Sequence, residues 1–405
     1  MLTRIVKKSY VINQYYFYRL IFTVSEFCST TFFYIFLYTQ TQSLSQIISY
    51  SIVLYTGLFI GYVLGGFIIE KVGYVGSYKI GFFLLGSTQI FLALSLDYFQ
   101  SFLIAFALIS GIARGIYWSS IITVKIKEFG TQERGLIISN TVSIALVLNM
   151  VLPPIIGAYL TNTGDYSFIF LIGGMCLLAS IFVPWKYNKK PQSKITKKEI
   201  RNILKNKYFI NYGVLAAIKS GLQSCIDLVL LILPFILLKS ELGVGLLVTI
   251  FSIASIFLSF IFRKSKLSQA GRLSKIGNLI NSFSSILFLL FWGIPGLLFR
   301  GLGNTLGDSI KNPAEDKIES RLREIILKKN VNQSIIELNF LIEVFTYFGR
   351  FVFLSSLLIF YTFNQDIESA FKGIIAFASV WGILYSYLLL GVNKKVKKAS
   401  TEIDA

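Results

Sequence analysis

Residues 46–69 read QIISYSIVLYTGLFIGYVLGGFII, an apolar stretch without a single charged side chain. As an α-helix that rises about 1.5 Å per residue, the stretch is long enough to cross about 30 Å of bilayer hydrocarbon. Hydrocarbon offers the peptide backbone no hydrogen-bond partner, so a segment of this kind is expected to be helical. The stretch therefore predicts a transmembrane helix.

Further stretches of the same apolar character follow one another along the chain, separated by short polar joints. With the first stretch they make twelve predicted spans: 15–39, 46–69, 77–96, 99–124, 135–160, 166–185, 209–238, 242–262, 274–292, 295–311, 333–362 and 370–391. The first span lacks a small-residue cleavage site and is too long for a signal-peptide core, so we interpret it as a retained helix. We expect an all-α membrane protein with twelve transmembrane helices.

The composition of the 405-residue chain excludes several classes of protein. Charged residues make up 15%, against about 25% in soluble domains, which argues against a soluble enzyme and against a disordered chain. The chain has no histidine, so a His-ligated metal site or a Ser-His-Asp triad cannot form. Cys28, Cys176 and Cys225 lie in apolar stretches without paired spacing, and we expect buried thiols. We expect no metal, no cofactor and no enzymatic activity.

The basic residues predict the orientation of the chain in the membrane. Of the 39 Lys and Arg residues, 32 fall in joints on the side of the N-terminus and two in joints on the other side. This asymmetry places both termini in the cytoplasm. The net charge of +19 is then a membrane-orientation charge, and we expect no nucleic-acid partner. With such short loops, we expect a multi-pass protein of a bacterial inner or plasma membrane.

The longest inner joint divides the spans into six plus six. We predict an N-terminal half at 1–185, a cytoplasmic basic linker at 186–208, a C-terminal half at 209–392 and a cytoplasmic tail at 393–405. The halves are related in sequence. Arg114-Gly115 in span four and Arg300-Gly301 in span ten are offset by 186 residues, and each pair lies 11 residues before an inner lysine. Such repeats are a known build of transporters.

Three motifs resemble the major facilitator superfamily. The joint after span two reads Gly66-Phe-Ile-Ile-Glu70-Lys71-Val72-Gly73, similar to the family signature Gly-x-x-x-Asp-Arg-x-Gly with Glu for Asp and Lys for Arg. Arg114 stands where many members carry an arginine. Span five carries Asn149-x-x-x-Pro153-Pro154-x-x-Gly157-Ala158, which is similar to the antiporter signature Gly-x-x-x-Gly-Pro-x-x-Gly-Gly with three of its five fixed positions altered.

The resemblance covers essentially the whole chain and implies the fold and mechanism of this family. It implies a secondary active transporter that works by alternating access, with helices one, four, seven and ten around a central cavity and one midplane site between two pseudo-repeated halves. It also implies a cytoplasmic gate made by Gly66, Glu70, Lys71 and Gly73, with Glu70 near the inner start of span eleven. We expect a monomer whose partners are the lipid bilayer and a small-molecule substrate.

Charges inside the spans are costly, by about 2.5–3.5 kcal/mol or more, and indicate functional sites. Five basic residues lie within spans: Arg19, Arg114, Lys219, Arg300 and Arg350. The deep charges on the four cavity helices are Glu26, Arg114, Lys219, Asp227 and Arg300. Span eleven adds Glu337, Glu343 and Arg350, and the seven-residue spacing of the last two predicts that each pairs with other neighbours and not with the other. We interpret this pair as structural.

The cavity charges suggest roles in substrate binding and coupling. We expect Arg114 and Arg300 to face each other and clamp a carboxylate or phosphate by bidentate hydrogen bonds, with Lys219 and Asn304 as further ligands. The tally of three cations and two carboxylates favours an anionic or zwitterionic solute. Glu26 and Asp227 are the candidates for proton coupling.

A purely structural role is the alternative for each of these residues. The charges could be ion pairs that lock the two halves, for example Glu26 with Arg114. Tyr117 and Trp118 could line the cavity and stack on the substrate, or could pack against neighbours. For Asp308, plain solvation at the inner surface is the safer interpretation.

The glycines of span two and the two long inner joints predict further local structure. Gly57, Gly61, Gly65 and Gly66 predict close helix approach. Thr196 to Glu199 reads as a capping box that opens a short surface helix with an apolar face at Ile200, Ile203 and Leu204. The joint at 312–330 carries a similar apolar face, at Ile318, Leu322, Ile325 and Ile326. We interpret both joints as solvated linker helices.

Two other functions stay open at the level of the sequence. The first is a proton-coupled multidrug exporter, which Glu26 and Arg114 favour and the altered motif of span five disfavours. The second is a non-transporting relative that serves as a membrane receptor or assembly factor, for which the basic joints would be the binding surfaces. The retained deep charges favour transport of a small polar or amphipathic solute, because a scaffold gains nothing from them.

A reporter enzyme fused after Ala405 tests the predicted orientation. Because the basic joints place both termini inside, the reporter should show cytoplasmic activity in intact cells. A periplasmic signal would contradict the even number of spans. A fusion inside the joint that follows span one serves as the control and should report the outside.

Overall fold

A computed structural model of the protein describes residues 2–128, 131–183, 197–262, 269–328, 335–364 and 366–404. Within these ranges every regular element is a helix. The α-helices are α1 Leu2–Glu26, α2 Phe32–Thr41, α3 Leu44–Leu94, α4 Phe99–Glu128, α5 Thr131–Thr163, α6 Tyr166–Ile181, α7 Lys197–Leu204, α8 Lys207–Leu238, α9 Glu241–Phe262, α10 Ala270–Leu290, α11 Ile294–Lys328, α12 Ile335–Asn364 and α13 Ile367–Asp404.

The described parts of the twelve predicted spans lie almost entirely on helices, which confirms the all-α class. Eight helical segments of the described chain are long and apolar enough to cross a membrane, and one of them, Leu44–Leu94, holds both spans two and three. Span six lies on the shorter apolar helix Tyr166–Ile181. Span one is divided between α1 and α2, and span ten lies on α11.

Two local features shape the first half of the chain. Phe27–Thr31 forms a π-helical turn between α1 and α2, and such turns widen a helix and occur often at functional sites. Gly73 interrupts α3 with φ 81° and ψ 176°, a backbone conformation that is essentially restricted to glycine. The last glycine of the family-like signature therefore makes the turn between spans two and three.

The chain forms two compact units. The first contains Met1–Lys194 and Ser240–Leu246, and the second contains Ile195–Lys239 and Leu247–Ala405. The finer boundaries predicted from the sequence, with a separate linker at 186–208, stay a prediction.

Aromatic packing dominates the core of the first unit. Phe22 of α1 stacks on Tyr117 of α4 with ring centroids 3.9 Å apart, and Phe82 of α3 stacks on the same tyrosine at 5.3 Å. Tyr18 and Tyr78 stack alongside at 5.6 Å. These rings are fully buried, so they hold α1, α3 and α4 together through large contact areas.

A seam of glycines brings α3 and α4 into backbone contact. A Cβ atom on Gly61 would lie 2.6 Å from the Cα of Ile112, and one on Gly111 would lie 2.8 Å from the backbone nitrogen of Leu58. Gly57 and Gly115 meet the facing backbone in the same way. The close approach predicted from the glycines of span two is confirmed, and its partner is span four.

The second unit packs the two inner joints into its core. Ile318, Leu322, Ile325 and Ile326 are buried on α11, so the interpretation of this joint as a solvated linker is wrong: the helix of span ten continues to Lys328 and buries its apolar face. The predicted short helix before span seven is α7.

The apolar face of α7 is only partly as predicted. Ile203 is fully buried and Ile200 packs against the same core, whereas Leu204 is 41% exposed. Leu204 is the last residue of α7 and lies about 100° around the helix axis from the buried Ile203, so it stands at the edge of the buried face. The residue expected to begin the capping box, Thr196, lies outside the described residues.

The glycine seam predicts opposite effects for two identical substitutions. Gly61→Ala places a methyl group against the backbone of α4. Because the backbone can move only together with its whole helix, the substitution should lower the free energy of unfolding by about 1–3 kcal/mol. Gly391→Ala is the matched control on α13, where a Cβ meets nothing within 4 Å, and should be neutral or stabilising because alanine favours helix. Melting temperatures in detergent measure both. Equal melting temperatures would contradict the seam.

Candidate functional site

A polar stripe runs along the first span in the first unit. Arg19, Glu26 and Thr30 are spaced seven and four residues apart, which places them on one side of a helix. The π-helical turn Phe27–Thr31 begins directly after Glu26. This turn sets the direction in which Thr30 points, and Thr30 contacts α4 through Arg114.

Arg114 is the centre of this stripe. It is 7% exposed, and its Nη2 donates a hydrogen bond of 3.0 Å to Thr30 Oγ1. The charge that acts most strongly on Glu26 is that of Arg114, followed by that of Arg19. All these residues belong to the first unit. The idea that a Glu26–Arg114 pair locks the two halves is therefore wrong, because such a pair would stabilise one unit internally.

The aromatic residues after Arg114 have different surroundings. Tyr117 is 0% exposed inside the aromatic core, as the packing alternative expects, and its hydroxyl accepts a hydrogen bond of 3.3 Å from Arg19 Nη1. Trp118 is partly exposed, and its ring centroid lies 4.9 Å from Arg19 Cζ. Arg19 lies close to the predicted start of span one and carried no predicted role. Its spacing of seven residues from Glu26 is the sequence signal that points to it.

In the second unit, Lys219 is neutralised by two carboxylates. Its Nζ lies 2.9 Å from Glu315 Oε2 and 3.0 Å from Glu319 Oε1. Both glutamates lie in a predicted inner joint, and neither was predicted to pair with a charge inside a span. The tally of three cavity cations against two carboxylates is therefore wrong for Lys219, whose charge is compensated within its own unit. The four-residue spacing of the glutamates, with Ile318 and Leu322 interleaved, is the signal that could have found them.

Glu315 is the most buried member of this ion network. It is 1% exposed, and it also accepts hydrogen bonds from Ser274 Oγ at 2.9 Å, Asn278 Nδ2 at 3.1 Å and Tyr385 OH at 3.3 Å. These donors come from α10 and α13, while Lys219 comes from α8. Four donors, counting the ammonium of Lys219, converge on this one carboxylate, so the network joins four helices of the second unit.

Glu319 continues the network toward the C-terminal end of α11. Tyr212 OH donates to Glu319 Oε2 at 3.1 Å, and Arg323 Nη2 donates to Tyr212 OH at 3.2 Å. Arg323 Nη1 reaches Asn339 Oδ1 of α12 at 3.2 Å. A cavity of about 10 Å³ lies beside Tyr212, Lys219 and Glu319, room for roughly one water molecule.

The repeated Arg-Gly pairs have equivalent glycines and different arginine partners. Gly115 abuts the backbone of α3, and Gly301 abuts the ring of Phe251 on α9, so each glycine contacts the second span of its half. Arg114 bonds to the first span of its half. Arg300 instead donates to α10, the third span, and the repeat therefore does not carry over to the arginine contacts.

Arg300 is held inside the second unit. It is 3% exposed, and its Nη1 donates to the carbonyl oxygen of Asn281 at 2.7 Å and to Ser284 Oγ at 3.3 Å. One turn along α11, Asn304 is half-buried. Its Oδ1 is enclosed and has no hydrogen-bond partner among the described residues. The clamp with Arg114 and the substrate role of Asn304 stay predictions.

Asp227 and Asp308 lie near one another in the second unit. Asp227 Oδ1 accepts a hydrogen bond of 2.6 Å from Gln223 Nε2, and the charge of Asp308 acts on it. Asp308 Oδ1 accepts from Asn281 Nδ2 at 2.7 Å and pairs with Lys311 Nζ at 2.9 Å. The side chain of Asp308 is also 39% exposed, so it is solvated, as expected, and has these two partners in addition. The proton-coupling role of Asp227 stays a prediction.

Glu343 and Arg350 contradict the prediction that they do not pair. Arg350 Nη1 lies 3.2 Å from Glu343 Oε1. Seven residues rise about 10 Å along a helix, and the long arginine side chain covers most of that distance by lying along the helix surface. The two side chains therefore contact each other directly, and the structural role of the pair stays a prediction.

The gate residues keep their predicted role as a proposal. Gly66 is buried, Glu70 is half-buried and Lys71 is exposed, and Gly73 forms the turn described above. Cys28 and Cys225 are buried thiols, and Cys176 is partly exposed. Among the described residues, no cluster of three or more His, Cys, Asp or Glu side chains could hold a metal ion.

Comparison with known proteins places the chain among transporters. The sequence profile of the Major Facilitator Superfamily matches residues 15–309. A POT family transporter solved in complex with 5-aminolevulinic acid has a TM-score of 0.70 at 12% identity, over 95% of this chain and 96% of that one. The human organic anion transporter MFSD10 (TETRAN) has a TM-score of 0.61 at 13% identity, over 94% and 99% of the two chains. Identities this low show a shared fold. No curated protein sequence matches significantly.

The ion network predicts a rank order of stabilities. Lys219→Met leaves two neighbouring carboxylates without their ammonium partner, one of them only 1% exposed, and should lower the melting temperature by more than the loss of an exposed pair does. Glu319→Gln should cost less, since Lys219 keeps Glu315. Lys372→Met is the matched control, because it breaks an exposed pair with Glu368 and should cost about 0–1 kcal/mol.

A double variant separates this network from a solute site. Lys219→Met with Glu315→Gln removes opposite charges together and should recover part of the stability lost in Lys219→Met. A Lys219→Met protein as stable as the wild type would contradict the network.

Proposed function

This chain belongs to the Major Facilitator Superfamily, a family of membrane transporters, and we propose that it is a secondary active transporter of a small polar or amphipathic solute that carries an anionic group. The observation that carries this proposal is the polar stripe of Arg19, Glu26 and Arg114 in the first unit. Ionisable side chains within apolar spans are costly, and those that are kept pair with one another or face a water-filled cavity, where they mark solute or ion pathways. Two proteins of the same fold are described as binding 5-aminolevulinic acid and as an organic anion transporter, which supports a solute of this charge class.

Glu26 supplies a physical route to proton coupling. It lies within the electrostatic influence of Arg114 and Arg19. Burial favours the neutral form of a carboxyl group, whereas opposite charges favour the ionised form. An anionic solute that engages Arg114 would reduce this attraction and favour protonation of Glu26. Solute and proton would then load together, and the proton gradient would drive transport by alternating access. Asp227 is the second candidate for the same role.

The three predicted cations of the cavity support the proposal unequally. Arg114 bonds to a neutral threonine hydroxyl at 3.0 Å, a contact that an anion can replace. Lys219 would have to leave two carboxylates, and Arg300 would have to leave its two α10 acceptors. We therefore assign the main anion contact to the first unit and keep Arg300 and Lys219 as secondary candidates.

Transport in proteoliposomes tests the proposal. A thermal-shift screen of small anions, zwitterions and lipophilic cations first selects a solute for the purified protein, and its uptake is then measured with and without an imposed pH gradient. Arg114→Ala should weaken the solute by roughly 10- to 150-fold, the value of a lost charge-assisted hydrogen bond. Glu26→Gln should still exchange solute across the membrane but should lose accumulation driven by the pH gradient.

One control variant and three contrary outcomes complete this test of the proposed function. Glu368→Gln removes an exposed carboxylate and should leave accumulation unchanged. Proton-driven accumulation that persists in Glu26→Gln would remove Glu26 from coupling. Uptake of lipophilic cations that depends on Glu26 would favour the multidrug exporter. A wild-type protein that moves no solute of the library would favour the receptor or assembly factor.

A further inference from the structure

We propose that Arg19 is the principal residue that binds the carboxylate or phosphate of the solute, with Arg114 of the same unit as its partner in place of Arg300. This inference rests on the proposed function and names a residue and a ligand chemistry for it. The geometry that points to Arg19 is a guanidinium held between a phenol and an indole on α4, in a part of the first unit that is not fully buried.

Two neutral aromatic side chains position Arg19. Its Nη1 donates to Tyr117 OH at 3.3 Å, and its Cζ lies 4.9 Å from the ring centroid of Trp118. Tyr117 is itself immobilised, because Phe22 stacks on it at 3.9 Å and Phe82 at 5.3 Å. A planar guanidinium over an indole is a favourable cation–π arrangement. The rigid phenol and the indole therefore fix the direction in which the charged fork points.

The contacts of Arg19 leave its charge without a direct anionic partner in the part of the chain that the structure describes. Among the other cations of the spans, Lys219 has two carboxylates and Arg350 has Glu343. Glu26 acts on Arg19 through its charge, but the direct contacts of the guanidinium are aromatic. A cation in an apolar span calls for a counter-ion or water, and an anionic solute meets this requirement.

The donor capacity of Arg19 fits a bidentate ligand. A guanidinium carries five N–H donors, and the hydrogen bond to Tyr117 uses one of them. Arg19 is also partly exposed, whereas Arg300 is 3% exposed and already donates to two acceptors. A carboxylate or phosphate could therefore pair with the fork of Arg19 without breaking an existing ion pair.

The same chemistry is present in lipid headgroups. Arg19 lies near the predicted inner end of span one, where a lipid phosphate is a second source of the anion. A free solute and a lipid headgroup share the phosphate or carboxylate group, and they differ in whether a soluble anion alone can occupy the site. The experiment has an arm for each source.

Binding measurements on the purified full-length protein test the proposal. The probes are inorganic phosphate, succinate and glutamate, with sodium chloride at equal ionic strength as the reference and tetraphenylphosphonium as a cation. At least one anion should raise the melting temperature of the wild type. Arg19→Gln should weaken that anion by roughly 10- to 150-fold and leave tetraphenylphosphonium unaffected. Arg19→Lys keeps the charge without the planar fork and should fall between the two.

Matched variants separate binding from folding. Arg201→Gln removes an exposed arginine of α7 by the same substitution and should bind the anion as the wild type does. If Arg19→Gln does not fold, Tyr117→Phe keeps the aromatic stack and the arginine and removes only the positioning hydrogen bond. A Tyr117→Phe protein should bind the anion several-fold more weakly, about 5- to 10-fold for a neutral hydrogen bond.

The lipid arm uses nanodiscs of phosphatidylcholine with and without phosphatidylglycerol. The proposal predicts that the soluble anion stabilises the wild type equally in both membranes. Stabilisation only by phosphatidylglycerol, lost in Arg19→Gln, would assign the site to a headgroup and overturn the proposal. The proposal is also overturned if no anion binds the wild type, or if Arg19→Gln binds the anion with unchanged affinity.

Counterflow in proteoliposomes distinguishes this inference from the proposed function. Solute exchange that is intact in the wild type and unchanged in Arg19→Gln would reject the role of Arg19 and leave the transporter standing. Absence of exchange in the wild type for every solute would reject the transporter itself. Exchange that is lost in Arg19→Gln and partly restored in Arg19→Lys supports both.

Discussion

The inability of hydrocarbon to hydrogen-bond a backbone or to solvate a charge is the constraint on which this structure depends. Because of it, the predicted spans are helical. Each charge within a span is costly unless a neighbouring side chain or a water-filled cavity stabilises it. The two units stabilise their charges in different ways, although the repeated Arg-Gly pairs relate their sequences.

The first unit relies on close apolar packing. Glycines on α3 and α4 let the two backbones touch, and stacked rings of Phe22, Phe82 and Tyr117 fill the space beside them. The π-helical turn after Glu26 then directs Thr30 toward Arg114. The outcome is a polar stripe whose main contacts are hydroxyl and aromatic groups, a surface that can accept an anion.

The second unit relies on ion pairing. Glu315 collects donors from α8, α10 and α13, and Arg323 links α11 to α12. Networks of this kind stabilise a specific arrangement only when each member is satisfied. The unit therefore has a well-compensated interior, and this difference favours the first unit as the place where the solute's charge is recognised.

The sequence by itself determined the helical class, the twelve spans, the repeat of Arg-Gly pairs and the glycine contact of span two. These follow from local properties, namely hydrophobic length and the absence of a side chain. The partners of the charged residues were decided only by the tertiary structure. Glu315 lies far along the chain from Lys219, Arg350 bends back along its own helix to Glu343, and Arg19 meets Tyr117 from a different helix. Whether a charge is neutralised depends on which side chains folding brings within about 4 Å of it. The order of residues along the chain does not specify these distances between helices.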